Sequence, residues 1–237
     1  MIFNFSRENP GRPKQMKGRK MRKKISLAAI AGLVASTVIF AGANTSANAN
    51  SNPLNLVKPG SLVVGMTLQF KPQMYLEDGK PAGYDVELVK RLAKALRLKL
   101  EIKNMDFAGL IPGLVSKQFD LVSVGLTKNP DREKSIQFVR EYMPYTTVLA
   151  ARTGDSTGAT KALWNVAGKK VTALQGAAAS RIVKADFPNT TLVEFPQQND
   201  AFLEVVSKRA DAIVVEENLL NQFNKTNPGQ LAKVKLP

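Results

Sequence analysis

An α/β fold in two lobes is the architecture this sequence predicts. From residue 60 onward short apolar runs alternate with helical patterns, and the polar stretch Thr153–Thr160 divides that alternation into two series. Strands alternating with helices imply a largely parallel sheet in each series. The organisation that follows is a leader over 1–49, a polar lead-in with two prolines over 50–59, a first lobe over 60–150 and a second over 151–237.

Each element has a local cause. Leu62-Val63-Val64-Gly65 is a β-type run, and Asp78-Gly79 is a turn signal. From Tyr84 to Arg97, Val86, Val89, Ala93 and Leu96 recur at helical spacing with Glu87, Lys90, Arg91 and Lys94 opposite. Leu98 to Ile102 alternates as a half-buried strand, Phe107 to Ser116 suggests a short helix with Pro112 confined to its first turn, and Asp120 to Val124 is a short strand. Asn129-Pro130-Asp131 is a helix start, with an Asn cap, Pro at the first position and an acid in the first turn. Thr146 to Ala151 is extended. The second lobe reads as strand 170–174, helix 177–185, strand 191–195, helix 199–208, strand 211–215 and helix 216–223.

The chain has 237 residues and contains neither Cys nor His. That excludes a disulfide framework, thiolate or imidazole metal sites, a cysteine nucleophile and a Ser-His-Asp triad. Its net charge of +15 suggests nucleic acid at first sight, but +8 of it lies in residues 1–49. There Arg22-Lys23-Lys24 precede an apolar run from Ile25 to Ala43, and Ala47-Asn48-Ala49 forms a small-residue exit. This is the layout of a cleavable secretory signal peptide, with cleavage expected after Ala49. A retained membrane anchor is the rival reading, and the Ala, Gly, Ser and Thr that dilute the run weigh against it. Residues before Met16 or Met21 are either a long basic extension or lie upstream of the true start. The expected location is therefore periplasmic, which sets nucleic acid aside and leaves the remaining +7 as a solvated surface. Two lobes outside the cytoplasm, with no His or Cys for catalysis, suggest a binding protein whose ligand sits at the carboxyl ends of the strands.

A specific resemblance is carried by a series of segments. These are Gly83-Tyr84-Asp85-Val86-Glu87-Leu88, Phe107-Ala108-Gly109-Leu110-Ile111-Pro112-Gly113-Leu114, Phe119-Asp120-Leu121-Val122, Gly125-Leu126-Thr127 with Arg132, Leu174-Gln175-Gly176 and Ala210-Asp211-Ala212. In order and spacing the series resembles the family 3 solute-binding proteins of ABC transporters, which bind polar amino acids. The resemblance implies a two-lobed clamshell that closes on an amino acid as a monomer, docks with a membrane permease, and needs no cofactor, no metal and no catalysis. It implies that Arg132 holds the α-carboxylate with Thr127 and the Gly125 backbone beside it, that Gln175, Gly176 and Ala177 supply a helix N-terminus from the second lobe, and that Glu216 meets the α-ammonium. Phe70 and Phe107 would sandwich the ligand side chain. The physical logic is that a zwitterion taken out of water needs a partner for each charge, and a planar guanidinium suits a carboxylate.

Three departures stand out. Ala177, Ala178 and Ala179 occupy positions where relatives often carry a hydroxyl for the carboxylate, leaving only backbone N–H groups. Thr67 stands where relatives selective for basic amino acids carry an Asp, which disfavours a Lys or Arg ligand. Lys233–Pro237 looks like the start of a return to the first lobe, so the C-terminal return segment is expected to be missing. Two other functions fit the same fold: a secreted hydro-lyase resembling cyclohexadienyl or arogenate dehydratases, for which Glu216 is the acid to nominate, and an extracellular amino-acid sensor.

Overall fold

The run Ser61–Met66, buried at every position, forms an interior strand of the first sheet in the computed structural model, which describes residues 2–3, 52, 54–157 and 160–234. A strand buried on both faces is what a parallel sheet covered by helices requires. In chain order the first half contains β1 (Ile2–Phe3), β2 (Ser61–Met66), β3 (Gln69–Phe70), β4 (Met74–Glu77), β5 (Lys80–Ala82), α1 (Tyr84–Ala95), β6 (Lys99–Asn104), α2 (Leu110–Val115), β7 (Leu121–Val122), α3 (Pro130–Glu133) and β8 (Gln137–Phe138). The second half contains β9 (Thr147–Arg152), α4 (Lys161–Trp164), β10 (Lys170–Leu174), α5 (Ala178–Asp186), β11 (Thr191–Phe195), α6 (Gln198–Val206), β12 (Ala212–Glu216), α7 (Glu217–Thr226) and β13 (Leu231–Lys233).

The first sheet has the order β6-β2-β7-β1-β8 and the second β11-β10-β12-β9-β13. Both are mixed. β2 pairs in parallel with β6 and β7, while β1 lies antiparallel to β7 and β8; β10 pairs in parallel with β11 and β12, while β9 lies antiparallel to β12 and β13. A third sheet of β3, β4 and β5 turns on Asp78 and Gly79, both at positive φ, as a two-residue hairpin loop demands.

Alternation in the second sheet sorts its side chains to two faces. Ala212, Val214, Leu149 and Ala151 face the side that holds Ala179 and Val183 of α5. Ile213, Val215, Val148 and Ala150 face Phe202 and Val205 of α6 and Leu220 and Phe223 of α7. Phe202 and Phe223 stack at 4.4 Å.

One device is used in both halves. Asp120, just before β7, accepts the Val63 N–H at 2.8 Å through its carboxylate while its own N–H donates to the Val63 carbonyl. Asp211, just before β12, does the same with the N–H and carbonyl of Lys170 in β10. Each Asp welds the start of one parallel strand to its neighbour.

Several expectations shift. The lead-in expected to be flexible is tied down from Leu54 to Pro59: Asp120 also accepts the Val57 N–H at 2.7 Å, and Leu56 is buried. The second sheet begins at Thr147 rather than at 151, because β9 pairs along its whole length with β12. The residues expected to start a return to the first lobe instead complete the second sheet, with Leu231 and Val234 buried and the Val234 N–H donated to the Leu149 carbonyl; 235–237 lie outside the described residues. Ile2–Phe3 pair within the first sheet, and the rest of the expected signal peptide also lies outside the described residues. Among the described residues no helix is long and apolar enough to cross a membrane.

Candidate functional site

The strands β7, β10 and β12 end at one cavity, walled by both halves of the molecule. Phe70, Phe107, Gly125, Thr127 and Arg132 line it from the first half, and Ala177 and Glu216 from the second. Open α/β sheets place ligands at such strand ends because loops and helix N-termini converge there.

Arg132 sits on α3, and its placement starts with the cap. Asn129 Oδ1 accepts the Arg132 N–H at 3.1 Å and Pro130 fixes the first turn. The side chain is 8% exposed and lies with its Cζ 5.9 Å from the Phe107 ring centroid. Nη1 donates to the Thr127 carbonyl at 2.8 Å and Nη2 donates to the Gly176 carbonyl at 2.9 Å, one acceptor from each half. Burial, and then Arg181, lower its pKa to about 10, with Glu216 pulling the other way, so it stays cationic near neutral pH. Two of its five N–H donors are held by these carbonyls, which fixes the plane of the guanidinium.

Glu216 is the last residue of β12 and stands at the N-cap position of α7, its side chain making no capping hydrogen bond. Burial pushes its carboxyl above the ordinary carboxylate range, while its own backbone N–H and Arg132 pull it down. The guanidinium and the carboxylate therefore belong to one cavity and act on each other across it.

Other expected residues fall differently. Gly176, at φ +74°, lines no wall but delivers the carbonyl that holds Arg132, and a Cβ there would come to 3.1 Å of Ala108 of the first half. Gln175 is exposed and outside the cavity wall, because its N–H continues the ladder to the Phe195 carbonyl and the Gly176 turn leaves its side chain outside. The Ala177 N–H is taken by the Leu174 carbonyl, so the amides open to the cavity begin at Ala178, which also lines it. The Gly125 N–H is likewise taken, donated to the Tyr142 hydroxyl at 3.1 Å. Phe70 and Phe107 meet edge to face, 6.5 Å apart at 65°, and so form a corner rather than the two parallel faces of a sandwich. Thr67 is buried and its hydroxyl accepts from Gln69, away from the wall.

The cavity also contains residues not nominated for the site from the sequence. Tyr145 crosses between the halves and presses its hydroxyl against Gly125, where any Cβ would overlap it. Gln73, Met74, Val124, Leu174, Asn218 and Leu219 complete the lining. Ala178 belongs to the helix terminus already read from the sequence, and Asn218 lies two positions from Glu216; Pro144-Tyr145 belongs to the same family-like series of segments but was given no place at the site, and Gln73 lies in a stretch without periodicity and carried no signal. Beneath the wall, Tyr142 donates to the Asp85 carboxylate at 2.9 Å, and Asp85 is fully buried at the first turn of α1. Across the cavity rim, Gln69 Oε1 accepts the Gln198 N–H at 2.7 Å, and Gln197 Nε2 donates to Asp106 at 2.7 Å. Among the described residues no group of His, Cys, Asp or Glu is arranged to hold a metal.

Comparisons with known proteins point the same way. A family model described as bacterial extracellular solute-binding proteins, family 3, matches residues 62–227. The arginine-binding extracellular protein ArtP of Bacillus subtilis is 30% identical over 197 residues, 82% of this chain and 75% of that protein. The arginine-bound form of a truncated ArgBP from T. maritima superposes with a TM-score of 0.68 at 32% identity, over 75% of this chain and 82% of that one. An ancestral amino acid-binding protein, AncCDT-1, a precursor of cyclohexadienyl dehydratase, gives a TM-score of 0.68 at 29% identity over 75% of this chain and 78% of its own.

Proposed function

Because the chain belongs to the family 3 bacterial extracellular solute-binding proteins, we propose that it captures an amino acid between its two lobes and delivers it to an ABC importer. The observation that carries this reading is that Arg132 and Glu216, from opposite halves, line one cavity. The α-carboxylate would take the free guanidinium donors of Arg132 and the amides from Ala178 onward, and the α-ammonium would take Glu216. Each charge of a buried zwitterion then has a partner, without which burial is costly. Contacts to both halves favour the conformation in which the halves meet, which is how binding drives closure. The protein would act as a monomer outside the cytoplasm, reach it through a signal peptide cleaved after Ala49, and dock with a membrane permease.

The names of the relatives make arginine the first ligand to titrate. In calorimetry, Arg132→Ala is expected to abolish measurable binding of any amino acid the wild type holds, since the half-buried Glu216 and the ligand carboxylate lose their counter-charge together. Unchanged affinity in that variant overturns the reading. One observation favours a second reading: Glu216 is a half-buried acid with a raised pKa, as proton transfer in a hydro-lyase requires. Incubation with prephenate or arogenate, followed by assay for an aromatic product, separates the two.

A further inference from the structure

We propose that the side-chain end of this cavity selects a neutral carboxamide over a cationic side chain, and that Gln73 is the residue that reads it. This rests on the amino-acid reading above, in which Arg132 and Glu216 are taken up by the α-groups.

The first support is a group without a partner. Gln73 lines the cavity, is 7% exposed, and its Oε1 makes no hydrogen bond. A buried amide oxygen left unpaired is disfavoured, so the position gains from a ligand that completes it. Oxygen and nitrogen of a Gln side chain are interchangeable by a flip, and a carboxamide partner, which offers both a donor and an acceptor, suits either orientation.

The second support is rigidity. The Gln73 carbonyl accepts the Asp85 N–H at 2.9 Å, and Gly83 packs so closely on that carbonyl that any Cβ would overlap it. The side chain therefore leaves a fixed piece of backbone, as a specificity residue must.

The third support is charge. Among the described residues Glu216 is the one carboxylate in the cavity wall. Beyond it the polar lining is neutral: Asn218, Thr127 and the Tyr145 hydroxyl. A guanidinium or ammonium side chain would add a second cation to a cavity that already holds Arg132, with no acid left to meet it. A carboxamide adds no charge and finds amide and hydroxyl partners.

The test is calorimetric titration of the purified full chain with glutamine, asparagine, arginine, methionine and alanine. The wild type is expected to bind glutamine or asparagine about tenfold or more tightly than arginine. Gln73→Leu is expected to weaken the preferred amide about tenfold while leaving methionine, which is similar in shape but has no donor, within about twofold. Gln73→Glu is expected to invert the order towards arginine by supplying the missing acid. A wild type that prefers arginine overturns the proposal, as does a Gln73→Leu variant with unchanged amide affinity. Alanine and Arg132→Ala keep the two readings apart. If alanine binds the wild type but not Arg132→Ala, the α-group clamp stands whatever the side-chain order; if no amino acid binds the wild type, both readings fall together.

Discussion

Asp85 shows how much chemistry one buried carboxyl can hold away from the ligand. Burial pushes its pKa up to about 6 against the opposing hydrogen bond from Tyr142. Between about 4, where the unfolded carboxyl titrates, and about 6, the unfolded chain loses this proton first, so stability falls as pH rises through that window and is lower above it. The gap corresponds to about 3 kcal/mol. Asp85→Asn keeps an acceptor for the Tyr142 hydroxyl and is expected to flatten that slope, gaining stability at pH 7 relative to pH 4.5 in urea unfolding. The residue was legible in the sequence as part of Gly83-Tyr84-Asp85, but as the opening of a helix; its partner Tyr142 lies 57 residues away in an irregular stretch, and no local pattern links them. Arg132 was legible for the opposite reason. Its cap, Asn129-Pro130, is local, so the element that carries it could be read before any tertiary contact was known.

At the scale of elements, the boundaries that periodicity and capping set are close to those observed, as in β10 and β11, while elements lacking such marks went unread. The strand β13 has three residues, and β3 has two. Their existence depends on partners, β9 and β4, that a local reading does not see. The packing of α2 on the first sheet belongs to the same class. The Phe119 ring is wedged between Gly65 of β2 and Gly113 of α2, where an added Cβ would come to 2.6 Å of the ring in either case. Gly113→Ala is expected to destabilise the protein by about 1–3 kcal/mol through overpacking, read as a lower midpoint in thermal unfolding. Phe119→Leu in the same background should recover part of the loss by freeing that space.

For the whole molecule, the two halves meet through few polar contacts among the described residues: the Gln69 and Gln197 bonds at the rim and the Arg132 bond to Gly176 within. Each rim bond contributes about 1 kcal/mol, so replacing Gln69 and Gln197 by Ala together is expected to lower the ratio of closed to open molecules about thirtyfold. Small-angle scattering should then show a larger radius of gyration than the wild type, and amino-acid affinity should fall although no residue of the charge clamp has changed. The sequence placed residues of the clamp on both halves but gave no sign of the rim, since side-chain amides at surface positions look like ordinary solvated polarity.

The Gly176 carbonyl gives the Arg132 guanidinium a second anchor only while the halves are together. When they part, the arginine keeps Thr127 alone and regains the freedom to swivel. In the closure proposed above, escape of a held molecule and loosening of its anchor would be a single event, with residence time in the cleft set by the frequency of hinge opening.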